Sequence, residues 1–221
     1  MNLRKITAVL IGIKLIISTI VTNVSADNTA TYPFNSNYKY TGGVSNITVY
    51  LNYSSGVAAW ENYITQGVTG WMYTGWDNPI YMNYVSSNVG SKMDFHSNDA
   101  TWFSNNTGYS TALACTFHYL GDGTNINTGS GGAPASSWYY TEIHINTTEL
   151  AKDDYSNDSA QGTIYHEMGH AFGLAHNNTN PNSIMHQYSV KRFLTPTDYI
   201  IEYRAANTVQ YIDNQAIVNL Y

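Results

Sequence analysis

Residues 166–176 read HEMGHAFGLAH. On an α-helix, side chains four positions apart differ by about 40° after one turn, so His166 and His170 project from one face. That spacing suits two imidazole nitrogens on a single zinc ion. Glu167 is rotated by about 100° from His166, near enough to reach a water on such an ion without binding the ion itself. Were the helix to continue, His176 would lie about 15 Å from His166 along the axis and could not share the metal. Gly173 removes the difficulty, because glycine takes the left-handed conformation that ends a helix and turns the chain back. The pattern therefore predicts a three-histidine site with a fourth position left to water, the open arrangement of a catalytic centre. Two surface histidines beside a capping glycine explain it poorly. At this chain's own residue frequencies, the five-position pattern arises by chance on the order of once in 10⁵ such chains.

The elements that must position these groups follow from periodicity. Ile47, Val49 and Leu51 alternate with polar residues and predict a strand over Asn46–Tyr53. Ala58, Ala59, Trp60, Tyr63, Ile64, Val68 and Trp71 recur at helical spacing and predict a helix over Val57–Thr74. Further strands are expected at about Ile80–Val85, Lys92–His96, Ala112–His118 and Tyr139–Asn146, with a Gly-, Asn- and Ser-rich loop over Gly121–Ser137. Ser159–Leu174 is the helix that bears the histidines. Thr195, Pro196 and Asp198 form the start signal of a last helix, as cap, first-turn proline and capping-box acid. Strands, one early helix, more strands and two late helices make an α+β domain.

Composition narrows the function. Only 11% of the 221 residues are charged, against roughly 25% in an ordinary soluble domain, which disfavours a coiled coil or an intracellular helical protein. Met1–Lys5 is a basic start, Ile6–Val21 an apolar stretch broken by Lys14, and Val24-Ser25-Ala26 a small-x-small cleavage site. Residues 1–26 therefore read as a secretory signal peptide rather than an anchor, with 27–221 as one exported, extracellular domain that leaves the membrane once the signal is cut. The leader holds three of the nine Lys and Arg residues and none of the 15 acids, so the remainder is more acidic than the whole-chain net charge of −6. An acidic body without a basic run argues against a nucleic-acid partner. The single Cys115 rules out an internal disulfide and is expected as a buried thiol.

At HEMGHAFGLAH the chain resembles the metzincin zinc peptidases, whose signature is HExxHxxGxxH followed by a Met-turn. Ser183-Ile184-Met185, with Met185 nine residues beyond His176, looks like that turn. The closest likeness is to matrixins and matrixin-like bacterial secreted peptidases, specific over about Tyr139–Ala206. It implies a twisted mixed sheet with an antiparallel edge strand, an active-site helix, Met185 packed beneath the metal and a C-terminal helix over Phe193–Asn207. It also implies a division into an N-terminal subdomain, about 27–176, and a C-terminal one, about 177–221. The chain departs from the family in three ways. It has no cysteine upstream of the domain for a cysteine switch, its tyrosine Tyr188 lies three rather than two residues after Met185, and His186-Gln187 replaces the Tyr-Pro that follows the methionine in matrixins.

The resulting expectation is a monomeric secreted zinc endopeptidase. His166, His170 and His176 hold one Zn²⁺, and Glu167 acts as general base and then passes the proton to the leaving amine. The strand Tyr139–Asn146 is expected to offer an open edge to an extended protein or peptide substrate, with Tyr140, Glu142, His144, His186 and Tyr188 as substrate-binding residues and Met185–Ser189 walling the pocket just after the scissile bond. Two other readings stand beside it: a non-catalytic zinc-stabilised binding module, and a zinc amidase acting on non-peptide amides such as wall crosslinks. His96, His118 and His144 form a weaker candidate for a second zinc. Asp122, Asn125 and Asn127, and the group Asp153, Asp154 and Asp158, are oxygen-bearing candidates for Ca²⁺, for which solvated turns are the simpler account.

Overall fold

The computed structural model describes residues 30–34, 37–128, 132–152, 157–187 and 206–221. Five strands form one mixed sheet: β1 (Ile47–Leu51), β2 (Met82–Val85), β3 (Met93–Asn98), β4 (Ala114–Tyr119) and β5 (Tyr140–Asn146). Their order is β2-β1-β3-β5-β4. The first four run parallel, and β4 is antiparallel to β5 with Thr116 opposite Ile143 and His118 opposite Thr141. The antiparallel edge strand is therefore β4. This corrects the expectation that Tyr139–Asn146 is the open edge: β5 pairs with β3 on one side and β4 on the other, leaving no main-chain groups for a further strand.

The alternating residues behave as their pattern requires. Ile47, Val49 and Leu51 are buried, as are Ile143 and Ile145 of β5, and all five join one core with residues of helices α1 (Glu61–Met72) and α4 (Asn157–Ala171). The expected helix over Val57–Thr74 divides into a 3₁₀ turn, Val57–Trp60, followed by α1. Glycines let α1 and α4 approach: a Cβ on Gly70 would lie 2.0 Å from Tyr165 Oη, and one on Gly67 2.8 Å from Met168 Sδ. Trp71, wholly buried between them, donates its Nε1–H to the Tyr165 carbonyl at 3.0 Å.

Three described helices lie outside the expected elements. The first, α2 (Ala100–Thr107), is capped by Asp99, whose side chain accepts from Trp102 N, and ends at Gly108 with φ +78°. Asn146 caps the short α3 (Thr147–Leu150). The last, α5 (Tyr211–Leu220), opens with a Gln210–Asp213 capping box. The expected helix start at Thr195 lies outside the described residues, as does the leader, 1–26. Among the described residues no helix is long and apolar enough to cross a membrane.

Candidate metal centre

The histidine helix ends where Gly173 takes φ +105°, with Gly173 N donating to His170 O and Leu174 N to Gly169 O, both at 2.9 Å. A side chain there would be strained twice over, since a Cβ would stand 2.8 Å from Leu220 Cδ2 and 3.1 Å from Tyr38 O. Beyond this turn His176 comes back to the helix. The ring centroids of His166 and His170 are 4.6 Å apart, those of His170 and His176 4.6 Å, and those of His166 and His176 5.2 Å. One ligand atom from each of the three lies within 4.8 Å of the others, the one such group of three His, Cys, Asp or Glu among the described residues.

The hydrogen bonds behind the rings decide which nitrogen faces inward. His166 Nδ1 lies 2.8 Å from Ile184 O, and His170 Nδ1 lies 2.7 Å from Leu174 O. A carbonyl only accepts, so each Nδ1 carries the proton and each Nε2 presents its lone pair. His170 Nε2 and His176 Nε2 are 3.0 Å apart, close to the roughly 3.3 Å between two nitrogens on one tetrahedral zinc. Burial, and then the neighbouring His176, hold the His170 imidazole well below its ordinary pKa; burial, then His186, lowers that of His176. With Nδ1 of His166 and of His170 turned to carbonyls and the charged forms of His170 and His176 disfavoured, the three rings make a nitrogen donor set that fits a zinc ion.

The frame around them comes from distant parts of the chain. Met185 is fully buried beneath the helix, where a Cβ on Gly169 would lie 2.3 Å from its sulfur. Its turn is held by Asp213, which is 0% exposed. That carboxylate accepts from Ser183 Oγ at 2.6 Å, Thr31 Oγ1 at 2.7 Å, Ile184 N at 3.0 Å and Gln210 N at 3.1 Å. The segment Thr31–Phe34 straps the Gly173 turn from outside, with Phe34 N donating to Gly173 O and Ala175 N to Tyr32 O. The Phe34 ring stacks on His170 at 5.7 Å.

Glu167 is buried on the same helix, outside the ligand group. The Thr116 hydroxyl of β4 lies 2.7 Å from its Oε2 and 3.0 Å from its carbonyl oxygen. Two positions along β4, His118 Nε2 donates to His170 O at 3.1 Å. Sequence periodicity identifies Thr116 and His118 only as strand residues and Phe34 only as a lead-in residue, and it assigns Asp213 to no element. The one local signal among them is the spacing of Gln210 and Asp213, that of a capping box.

Other candidate residues go elsewhere. Thr116 and Ile143 face α4, so alternation sends Glu142 and His144 to the opposite face of the sheet. There Glu142 accepts from Tyr119 Oη at 2.9 Å, while His144 stacks on Trp102 at 4.2 Å and on His96 at 4.9 Å. Tyr140 stacks on Tyr119. The geometry thus does not bring Tyr140, Glu142 and His144 to the histidine centre, and it parts His118 from His96 and His144. His186 is buried close enough to His176 to influence its charge, and Tyr188 lies outside the described residues. Asp122 and Asn125 close turns onto Thr124 N and Asn127 N. The side chains of Asp153, Asp154 and Asp158 lie outside the described set. Burial, then the charge of Glu167, raises the Cys115 thiol well above its usual pKa.

No protein-family model matches the chain, and no curated protein matches it.

Proposed function

We propose that the protein is a secreted zinc endopeptidase of the metzincin kind. The observation that carries this reading is the convergence of three imidazoles, each with one ring nitrogen within 4.8 Å of the others, beside a buried glutamate that follows His166 in sequence without joining the group. His166, His170 and His176 hold the metal. When bound, zinc supplies Lewis acidity toward a water and toward the scissile carbonyl.

The chain's own residues do the rest. Glu167 accepts a proton from the attacking water, whose oxygen bonds to the carbonyl carbon, and returns that proton to the amide nitrogen as the C–N bond breaks. Thr116 keeps one carboxylate oxygen of Glu167 in a set direction. The substrate is an extended peptide that pairs with the outer edge of β4, the edge strand next to α4. Met185 under Gly169 and the antiparallel edge strand both agree with the metzincin resemblance.

Incubation of the chain from Asp27 onward with a proteome-derived peptide library, with and without a chelator, tests the reading by mass spectrometry of the products. Chelator-sensitive internal cuts are expected from the parent chain and none from Glu167→Ala, which still binds zinc. No cuts from a folded chain holding one zinc would sink it, leaving a zinc-stabilised binding module or an amidase for non-peptide amides.

A further inference from the structure

The outer edge of β4 is closed at both ends. Asn146 N donates to Leu113 O and Tyr139 N to Tyr119 O, so odd-numbered residues of this strand point their main-chain groups at β5. The outward groups belong to Ala112, Ala114, Thr116 and His118. Those of His118 are both engaged: its N donates to Asn127 Oδ1 at 2.6 Å and its O accepts from Ile126 N at 2.9 Å. Asn127 Nδ2 reaches back to Thr116 O at 3.2 Å and anchors on Gly132 O at 2.6 Å. At the other end Ala112 N donates to Tyr109 O, and Ala112 O accepts from Asn146 Nδ2.

The planar amide of Asn127 thus takes the place of a peptide unit in a neighbouring strand, with its C=O on one β4 residue and its NH₂ on another. Among the described residues, what remains for a ligand is Ala114 N, Ala114 O and Thr116 N, a run of three groups ending at the residue whose hydroxyl bonds Glu167.

We infer that Asn127 is a specificity-determining residue that ends the peptide-binding edge at Thr116 and turns one arm of the substrate away from the sheet. The inference rests on the peptidase reading. Each ladder bond gained or lost changes binding by about two- to tenfold, so an arm that leaves the edge gains nothing from further backbone length along it.

The test is a series of peptides sharing one cleaved core and lengthened one residue at a time on each side, with kcat/KM measured on zinc-loaded protein. For the parent chain, one side is expected to reach a plateau, with additions past the Thr116 pairing changing kcat/KM by less than about twofold. Asn127→Ala frees Thr116 O and His118 N, so the next residue on that same side should raise kcat/KM by about two- to tenfold. A parent profile that keeps rising on both sides overturns the inference. So does an Asn127→Ala profile identical to the parent in a variant that melts at the same temperature. Should the variant fail to fold, the parent profile decides alone. Absence of any chelator-sensitive cleavage by the parent chain is the separate result that removes the peptidase reading, and this inference with it.

Discussion

The Thr116 hydroxyl stands 2.7 Å from Oε2 of Glu167, joining the edge strand to the histidine helix at the candidate general base. The terminal torsion of a glutamate is broad, so its carboxylate needs an outside contact to hold one orientation. Thr116→Val keeps the shape of the side chain and removes the donor. It is expected to lower kcat about tenfold, the scale of a hydrogen bond to a charged group, while leaving KM near the parent value. Thr116→Ser restores the donor and the rate. Equal kcat in the valine variant would show that the contact does not orient the base.

His166 is held through a chain of contacts that ends in the C-terminal helix. Asp213 binds Ile184 N, and the Ile184 carbonyl accepts from His166 Nδ1. Groups that orient a ligand imidazole typically account for about 10–100-fold in metal affinity. Asp213→Ala is expected to weaken zinc by that factor in a competition titration against a chromophoric chelator. Val218→Ala, on the exposed side of the same helix, serves as the control and should leave the affinity within about threefold.

His170→Ala removes a proposed metal ligand that is also the stacking partner of Phe34. Metal content by mass spectrometry should fall from one zinc per chain to none after dialysis, and hydrolysis should go with it. Glu167→Ala should keep its zinc, so the two variants separate metal holding from proton transfer.

Gly169 lies over Met185, where a Cβ would come 2.3 Å from the sulfur and 3.3 Å from Trp71 Cζ2. Overpacking of a closed core costs about 1–3 kcal/mol. Gly169→Ala should lower the midpoint of thermal unfolding accordingly. An unchanged melting temperature would mean that Met185 moves aside freely.

Two groups on the far face of the sheet titrate in opposite directions. Burial, then His144, pushes His96 down to about 4. The unfolded chain takes up that proton near pH 6.5 while the folded chain still refuses it, so this contribution is complete above about pH 6.5 and is lost as pH falls toward about 4. Burial raises Asp94 to about 6, against an ordinary value near 4. Its folded form keeps a proton that the unfolded chain gives up, so its contribution is complete below about pH 4 and is lost as pH rises through about 6. Melting curves between pH 7 and 4.5 should therefore show a shallower acid loss for His96→Gln and a steeper one for Asp94→Asn.

The elements that proved legible are those whose signal is local. The β1 alternation, the apolar spacing of α1 and the helix-plus-turn over 166–176 each follow from side-chain directions within one stretch of chain. Helix α2 carried a readable signal too, with Asp99 as cap and Gly108 as terminator, but its eight residues hold few apolar positions to set a period. Strand order was not legible. Main-chain ladders are chemically alike, so nothing within Tyr140–Asn146 tells whether one or both of its edges will be paired.

By itself, the sequence determined that His166, His170 and His176 come together beside Glu167, because a helix and its turn bring them together by geometry spanning eleven residues. Only the tertiary structure decided what orients them. Thr116 reaches Glu167 across 51 positions and Thr31 reaches Asp213 across 182, contacts that exist only once the sheet order, the strap and the last helix are in place. A residue's type says what bonds it can make, and the packing of distant elements says which of them it does make.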